Sequence, residues 1–169
     1  MRRPPARVEL LTALSILFAL LTACGQVAAE LPGSPAEVEW STVAIGYDPV
    51  AQLEAASTPP GGLMKVSGSG TDIWGDRDEF FYVYTPIRGN GSLSVKLHDF
   101  SAAHEWSKAG IMIRDTLDPG ARNAMAYITP DGRVGWQYRL LPAGTSESTR
   151  SDAGAVTLPH WLRLTRTGN

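Results

Sequence analysis

The sequence predicts an all-β chain, folded as an antiparallel β-sandwich or jelly roll. Three observations carry this. From residue 63 onward, short runs alternate apolar and polar side chains, the two-residue period of a strand buried on one face. Turn-forming clusters separate the runs: "RGNGS", "LDPGAR", "TPDGR" and "LPAGTSES". The chain also holds 17 glycines and 12 prolines, a supply of turns that favours many short strands over long helices.

The 169 residues suffice for one domain. A hydrophobic fraction of 43% with 19% charged residues excludes a disordered chain. A net charge of −2 removes the electrostatic case for a nucleic-acid partner.

The first element is not a strand. Arg2, Arg3 and Arg7 precede an apolar run over residues 10–21, which is short for a mature membrane span. "LTAC" follows and ends on Cys24, the single cysteine, which can form no internal disulfide. This arrangement resembles a bacterial lipoprotein signal peptide with its lipobox. The resemblance implies cleavage before Cys24 and acylation of its thiol and amine. Acyl chains anchor at about 0.8 kcal/mol per buried methylene. An ordinary signal peptide with an incidental cysteine and an uncleaved membrane anchor are the alternatives. Residues 1–23 are therefore expected to be absent from the fold, and their loss makes the remainder more acidic. Residues 24–36, with "GQVAAELPGSPA" after the cysteine, read as a flexible lipid-anchored tether. Gly25 is not acidic, which favours the outer membrane in a Gram-negative cell.

The sandwich domain is expected over residues 37–169. "VEWSTVAIG" reads as a first strand, and "YDPVAQLEAAS" as one or two helical turns that "TPPGG" stops. Then Phe81, Val83 and Thr85 alternate with Tyr82 and Tyr84. Leu93, Val95 and Leu97 alternate with Ser94, Lys96 and His98. Ile111 and Ile113 alternate with Met112 and Arg114. Ala124, Ala126 and Ile128 oppose Met125 and Tyr127, while Val134, Trp136 and Tyr138 oppose Gln137 and Arg139. "TPDGR" between these last two runs predicts a hairpin, because Asp131 and Gly132 tolerate positive φ. "HWLRLTR" is a final strand. "TRTGN" reads as a turn with no returning strand, so that edge is expected to be unpaired and the chain to be a fragment.

Three chemistries compete for "DIWGDRDEF". Asp72, Asp76 and Asp78 offer oxygens to a calcium ion, but their spacing lacks the regular alternation of a calcium loop. Asp76 and Asp78 offer a carboxylate pair, but nothing around them supplies a glycosidase motif. A turn built on Asp72, Gly75 and Asp76, with Trp74 as a lid, is the simplest reading. His98, His104 and His160 lack metal-ligand spacing, so no catalytic residue, metal or cofactor is expected.

Sugar binding has a better basis. Aromatic faces stack on sugar rings, and planar polar groups bond the hydroxyls. Tyr82, Tyr84, His98, Arg114, Tyr127, Gln137 and Arg139, with Lys96, are non-core residues of their strands. If these strands are neighbours, they line one polar-aromatic face; a solvated face of cross-strand pairs is the competing reading. Trp106, in a loop, is a second platform or a packing anchor.

Several motifs in order carry a further resemblance: "VSGSGTDIWGDRDEFFYVYTPIRGNGSLSVKL", "WSKAGIMIRDTLDPGARNAMAYITPDGRVGWQYR" and "PHWLRLTRTGN". Over residues 62–169 the chain resembles a secreted bacterial concanavalin A-like jelly-roll module, the DUF1349-type or "regulation of enolase" domain family. The resemblance implies a two-sheet jelly roll that continues past the final "GN". It also implies a place beside secreted glycosidases, immunoglobulin-like domains or adhesins, and a carbohydrate-binding role. The expected protein is thus an extracytoplasmic, lipid-anchored module and not an enzyme. Its partners would be a polysaccharide or cell-surface ligand, the membrane, and further domains of a longer chain. A structural or interaction module, or an accessory piece of a glycan-active enzyme, are the alternatives.

Overall fold

The computed structural model describes residues 14–18, 25–30, 39–46 and 63–168. Among them are thirteen strands and no helix. They are β1 (Leu14–Phe18), β2 (Gly25–Glu30), β3 (Ser41–Ile45), β4 (Leu63–Gly68), β5 (Ile73–Trp74), β6 (Arg77–Asp78) and β7 (Phe80–Ile87). β8 (Gly91–Ser101), β9 (Ala109–Arg114), β10 (Asn123–Ile128), β11 (Arg133–Arg139), β12 (Glu147–Ala155) and β13 (His160–Arg166) follow. The helical turns expected over residues 47–57 lie outside the described residues, as does Cys24.

Seven strands form one sheet in the order β12-β11-β10-β9-β1-β7-β3, and four form another, β13-β8-β2-β4. Neighbours run antiparallel throughout. The all-β class predicted from alternation therefore holds. Met64, Val66, Val95, Leu97, Leu162 and Leu164 of the smaller sheet pack against Phe81, Val83, Ile111 and Ile128 of the larger, which makes a sandwich core. The "TPDGR" hairpin forms as expected. It joins β10 to β11, with Gly132 at φ 79° donating its N–H to the Thr129 carbonyl at 2.8 Å.

Two segments depart from the expected layout. β1 lies within the stretch read as a leader and pairs with β7 and β9. β2 lies within the stretch read as a flexible tether and pairs with β4 and β8. An unbroken apolar run suits a central strand, whose backbone donors and acceptors are all met by its neighbours. Sequence periodicity cannot tell such a strand from the apolar core of a signal peptide.

The larger sheet is wider than the smaller. Val134 packs on the sandwich core, yet Trp136, on the same face of β11, is 39% exposed. β13 pairs with β8, and among the described residues no strand pairs with its other edge.

The other face of the seven-stranded sheet is also covered. The β5–β6 hairpin folds over it, with Gly75 at φ 62° as the first of two turn residues. Gly70 lets the approach to that hairpin lie against β7, because a Cβ there would collide with the Glu79 carbonyl. Ile45, Ile73, Phe80, Tyr82, Met112, Met125 and Tyr127 form a second core beneath it.

Candidate functional site

Alternation put eight candidate residues on one face, and six share it: Tyr82, Tyr84, Arg114, Tyr127, Gln137 and Arg139. The face is not open to a ligand. Tyr82, Arg114, Tyr127, Gln137 and Arg139 are buried, and Tyr84 is half-buried. The expected sugar-binding face is instead filled by the chain's own hairpin.

Asp78 of β6 is the centre of that filling. Its side chain is fully buried between two fully buried guanidiniums. Arg114 Nη1 donates to Asp78 Oδ2 at 3.0 Å; Arg139 donates through Nη2 to Oδ1 at 2.6 Å and through Nη1 to Oδ2 at 3.0 Å. Asn123 Nδ2 donates to Oδ2 at 3.2 Å. The other guanidinium hydrogens go mostly to carbonyls, with Met112 Sδ also accepting from Arg114 and the Ser146 hydroxyl from Arg139. Arg114 reaches the carbonyls of Thr116 and Asp118, at 2.7 and 2.5 Å, and Arg139 reaches those of Gly75, Pro119 and Ala121. Buried charges persist only when paired and bonded in this way. Burial holds the Arg114 guanidinium below its ordinary value, while Asp78 works in the opposite direction. Burial likewise raises the Tyr82 phenol, partly offset by Arg114.

A second group lies beside the first. Lys108 Nζ donates to Asp72 Oδ1 at 2.7 Å, to the Ile73 carbonyl at 3.0 Å and to Gln137 Oε1 at 3.2 Å. Gln137 Nε2 in turn donates to the Ile73 carbonyl. Thus Asp72 and Asp78, candidates for calcium or catalysis in the sequence, are ion-paired to cations. Asp72 also accepts the N–H of the next residue, Ile73, at 2.7 Å, in place of the Asx-type turn bond two residues on that the sequence suggested. Among the described residues no group of three His, Cys, Asp or Glu side chains could hold a metal.

His98 falls elsewhere. It lies on β8 in the four-stranded sheet, as Lys96 does, so neither joins the other six.

Trp106 remains, and it is 49% exposed. Its loop precedes β9, and its backbone N–H donates to His104 Nδ1 at 3.1 Å. The Arg150 guanidinium of β12 lies 4.6 Å from the indole centroid. Trp106, Glu105, Thr129, Asp131, Arg133 and Arg150 line a cleft of about 380 Å³, together with Pro130. Its polar groups are fixed. Asp131 Oδ1 accepts from Thr129 Oγ1 at 2.5 Å, and Asp131 Oδ2 pairs with Arg133 Nε at 2.9 Å. The Thr129 hydroxyl and the neighbouring Arg133 hold the Asp131 carboxyl below its ordinary value.

Tyr127 supports this cleft from beneath. Its ring crosses Gly135 of β11, where any Cβ would collide with the phenol. Gly135 pairs with Arg150 on the next strand, and the Arg150 charge acts on the phenol. Burial raises the Tyr127 phenol, and Arg150 opposes that rise. Tyr127 is therefore a support for the cleft, where the sequence suggested a contact residue. Of the cleft residues, only Trp106 was visible as a platform in the sequence. "TPDGR" was legible as a turn; Gly135 inside an alternating strand was passed over, although such a glycine is the signal that could have shown a close approach, and nothing in the sequence pointed to Arg150.

No family model, no curated protein and no solved structure matches the chain.

Proposed function

We propose that this chain is a lipid-anchored, extracytoplasmic β-sandwich module of concanavalin A-like jelly-roll type that binds carbohydrate at the Trp106 cleft. The carrying observation is the half-exposed indole of Trp106, backed by Arg150 at 4.6 Å and ringed by Glu105, Asp131 and Arg133. An aromatic platform beside fixed charged and hydroxyl groups suits a ring with an apolar face and a rim of hydroxyls. Of the two carboxylates considered for catalysis, Asp78 is buried in ion pairs with Arg114 and Arg139, which supports binding without chemistry. The anchor rests on "LTAC" and Cys24, and it requires the mature chain to fold without β1, which cleavage before Cys24 removes.

A docking or spacer module is the second reading. It is favoured by the edge of β13 that pairs with no described strand and by the exposed Trp161 on that strand.

A glycan array and a polysaccharide pull-down test the first reading. Trp106→Ala should weaken binding about tenfold, on the order of 1.4 kcal/mol. Absence of glycan binding by the wild-type chain, or binding indifferent to Trp106→Ala, would leave the docking reading. The anchor is tested separately by labelling with a fatty acid, which Cys24→Ser should abolish.

A further inference from the structure

A second exposed indole belongs to the same assembly as Trp106. Trp74, in the β5–β6 hairpin, is 45% exposed, although the sequence cast it as a lid on the core. Lys108 Nζ lies 5.9 Å from the Trp74 ring centroid and 5.6 Å from that of Tyr127. Tyr127 lies over Gly135, whose partner on β12 is Arg150, and Arg150 lies against Trp106. Trp74, Lys108, Tyr127, Arg150 and Trp106 thus alternate ring and cation along one continuous path. Its inner members are held tightly. Lys108 is buried and donates to Asp72, Ile73 and Gln137, and Tyr127 is wedged over Gly135. Only the two end members present large exposed rings.

We propose that the Trp106 cleft is one end of an extended site, and that Trp74 is a second sugar platform, so that the ligand is a linear oligosaccharide and not a single terminal sugar. This rests on the carbohydrate reading of the Trp106 cleft. The physical reason is the shared support. Two indoles joined through Lys108, Tyr127 and Arg150, the first two of them buried, have a fixed mutual position, so a chain spanning both gains a second contact without ordering a second flexible group. A monosaccharide can use only one of them. Asp72 beside Trp74, and Asp131 and Arg133 beside Trp106, supply hydroxyl partners near each platform.

The test uses the full chain on length series from single sugars to hexamers of gluco-, xylo-, manno-, galacto- and chito-oligosaccharides. Wild-type affinity should climb with length within the series that binds. Trp106→Ala should weaken every length. Trp74→Ala should weaken the longest members about tenfold and the shortest less than about twofold, and Trp74→Tyr should restore most of the loss. Circular dichroism of Trp74→Ala guards against misfolding, and the tyrosine variant keeps the question answerable if the alanine variant is unstable. Affinity independent of length, or an equal loss at every length, overturns the extended site and leaves the Trp106 reading standing. Binding in none of the series overturns both.

Discussion

At the residue scale, Asp78 decides how one face of the larger sheet is used. It accepts from Arg114, Arg139 and Asn123 in a fully buried position. Asp78→Ala would leave two buried guanidiniums without their carboxylate. Removal of one partner from a buried ion pair typically costs about 3–5 kcal/mol. The variant is therefore expected to lose about that much stability in urea unfolding, and a loss below about 1 kcal/mol would show that the arginines reach water. Asp78 was legible as an acidic loop residue, but its partners were not. They lie 36 and 61 positions away, and residue spacing carries no signal for contacts at that range.

At the element scale, β10, β11 and β12 act as one unit through Tyr127, Gly135 and Arg150. Glycine is required here by space, since the Tyr127 ring occupies the volume of a Cβ. Gly135→Ala should cost about 1–3 kcal/mol through overpacking and displace the Tyr127 ring from Arg150. In a double-mutant cycle with Tyr127→Ala the two effects should be far from additive, because removal of the ring relieves the clash. Additive losses would mean that Gly135 matters for some other reason. The strand pattern itself was readable: Tyr127, Gln137 and Arg139 share a face as alternation requires. What alternation cannot report is whether a face is wet, and here the β5–β6 hairpin covers it. His98 shows the same limit from another side, since its run of alternation is sound but its strand joined the other sheet.

At the scale of the whole molecule, burial of Tyr82 couples stability to alkaline pH. Desolvation raises its phenol above the ordinary 10.0, Arg114 lowers it in part, and Tyr84 adds to the rise. A group whose pKa is raised on folding contributes stability that is complete below its unfolded value and is lost as pH climbs past it. The midpoint of urea unfolding should therefore fall as pH rises above about 10, while Tyr82→Phe should flatten that fall. An unchanged slope in the phenylalanine variant would remove Tyr82 as the cause. By itself the sequence determined the all-β class, the alternation of strand faces and the "TPDGR" hairpin, because each is a local pattern set by side-chain period or turn chemistry. Only the tertiary structure decided that the polar-aromatic face is a second core, that the segments at residues 14–18 and 25–30 pair as central strands, and that Trp106 meets Arg150. Those outcomes depend on which distant segments share a volume, and a linear pattern holds no record of that.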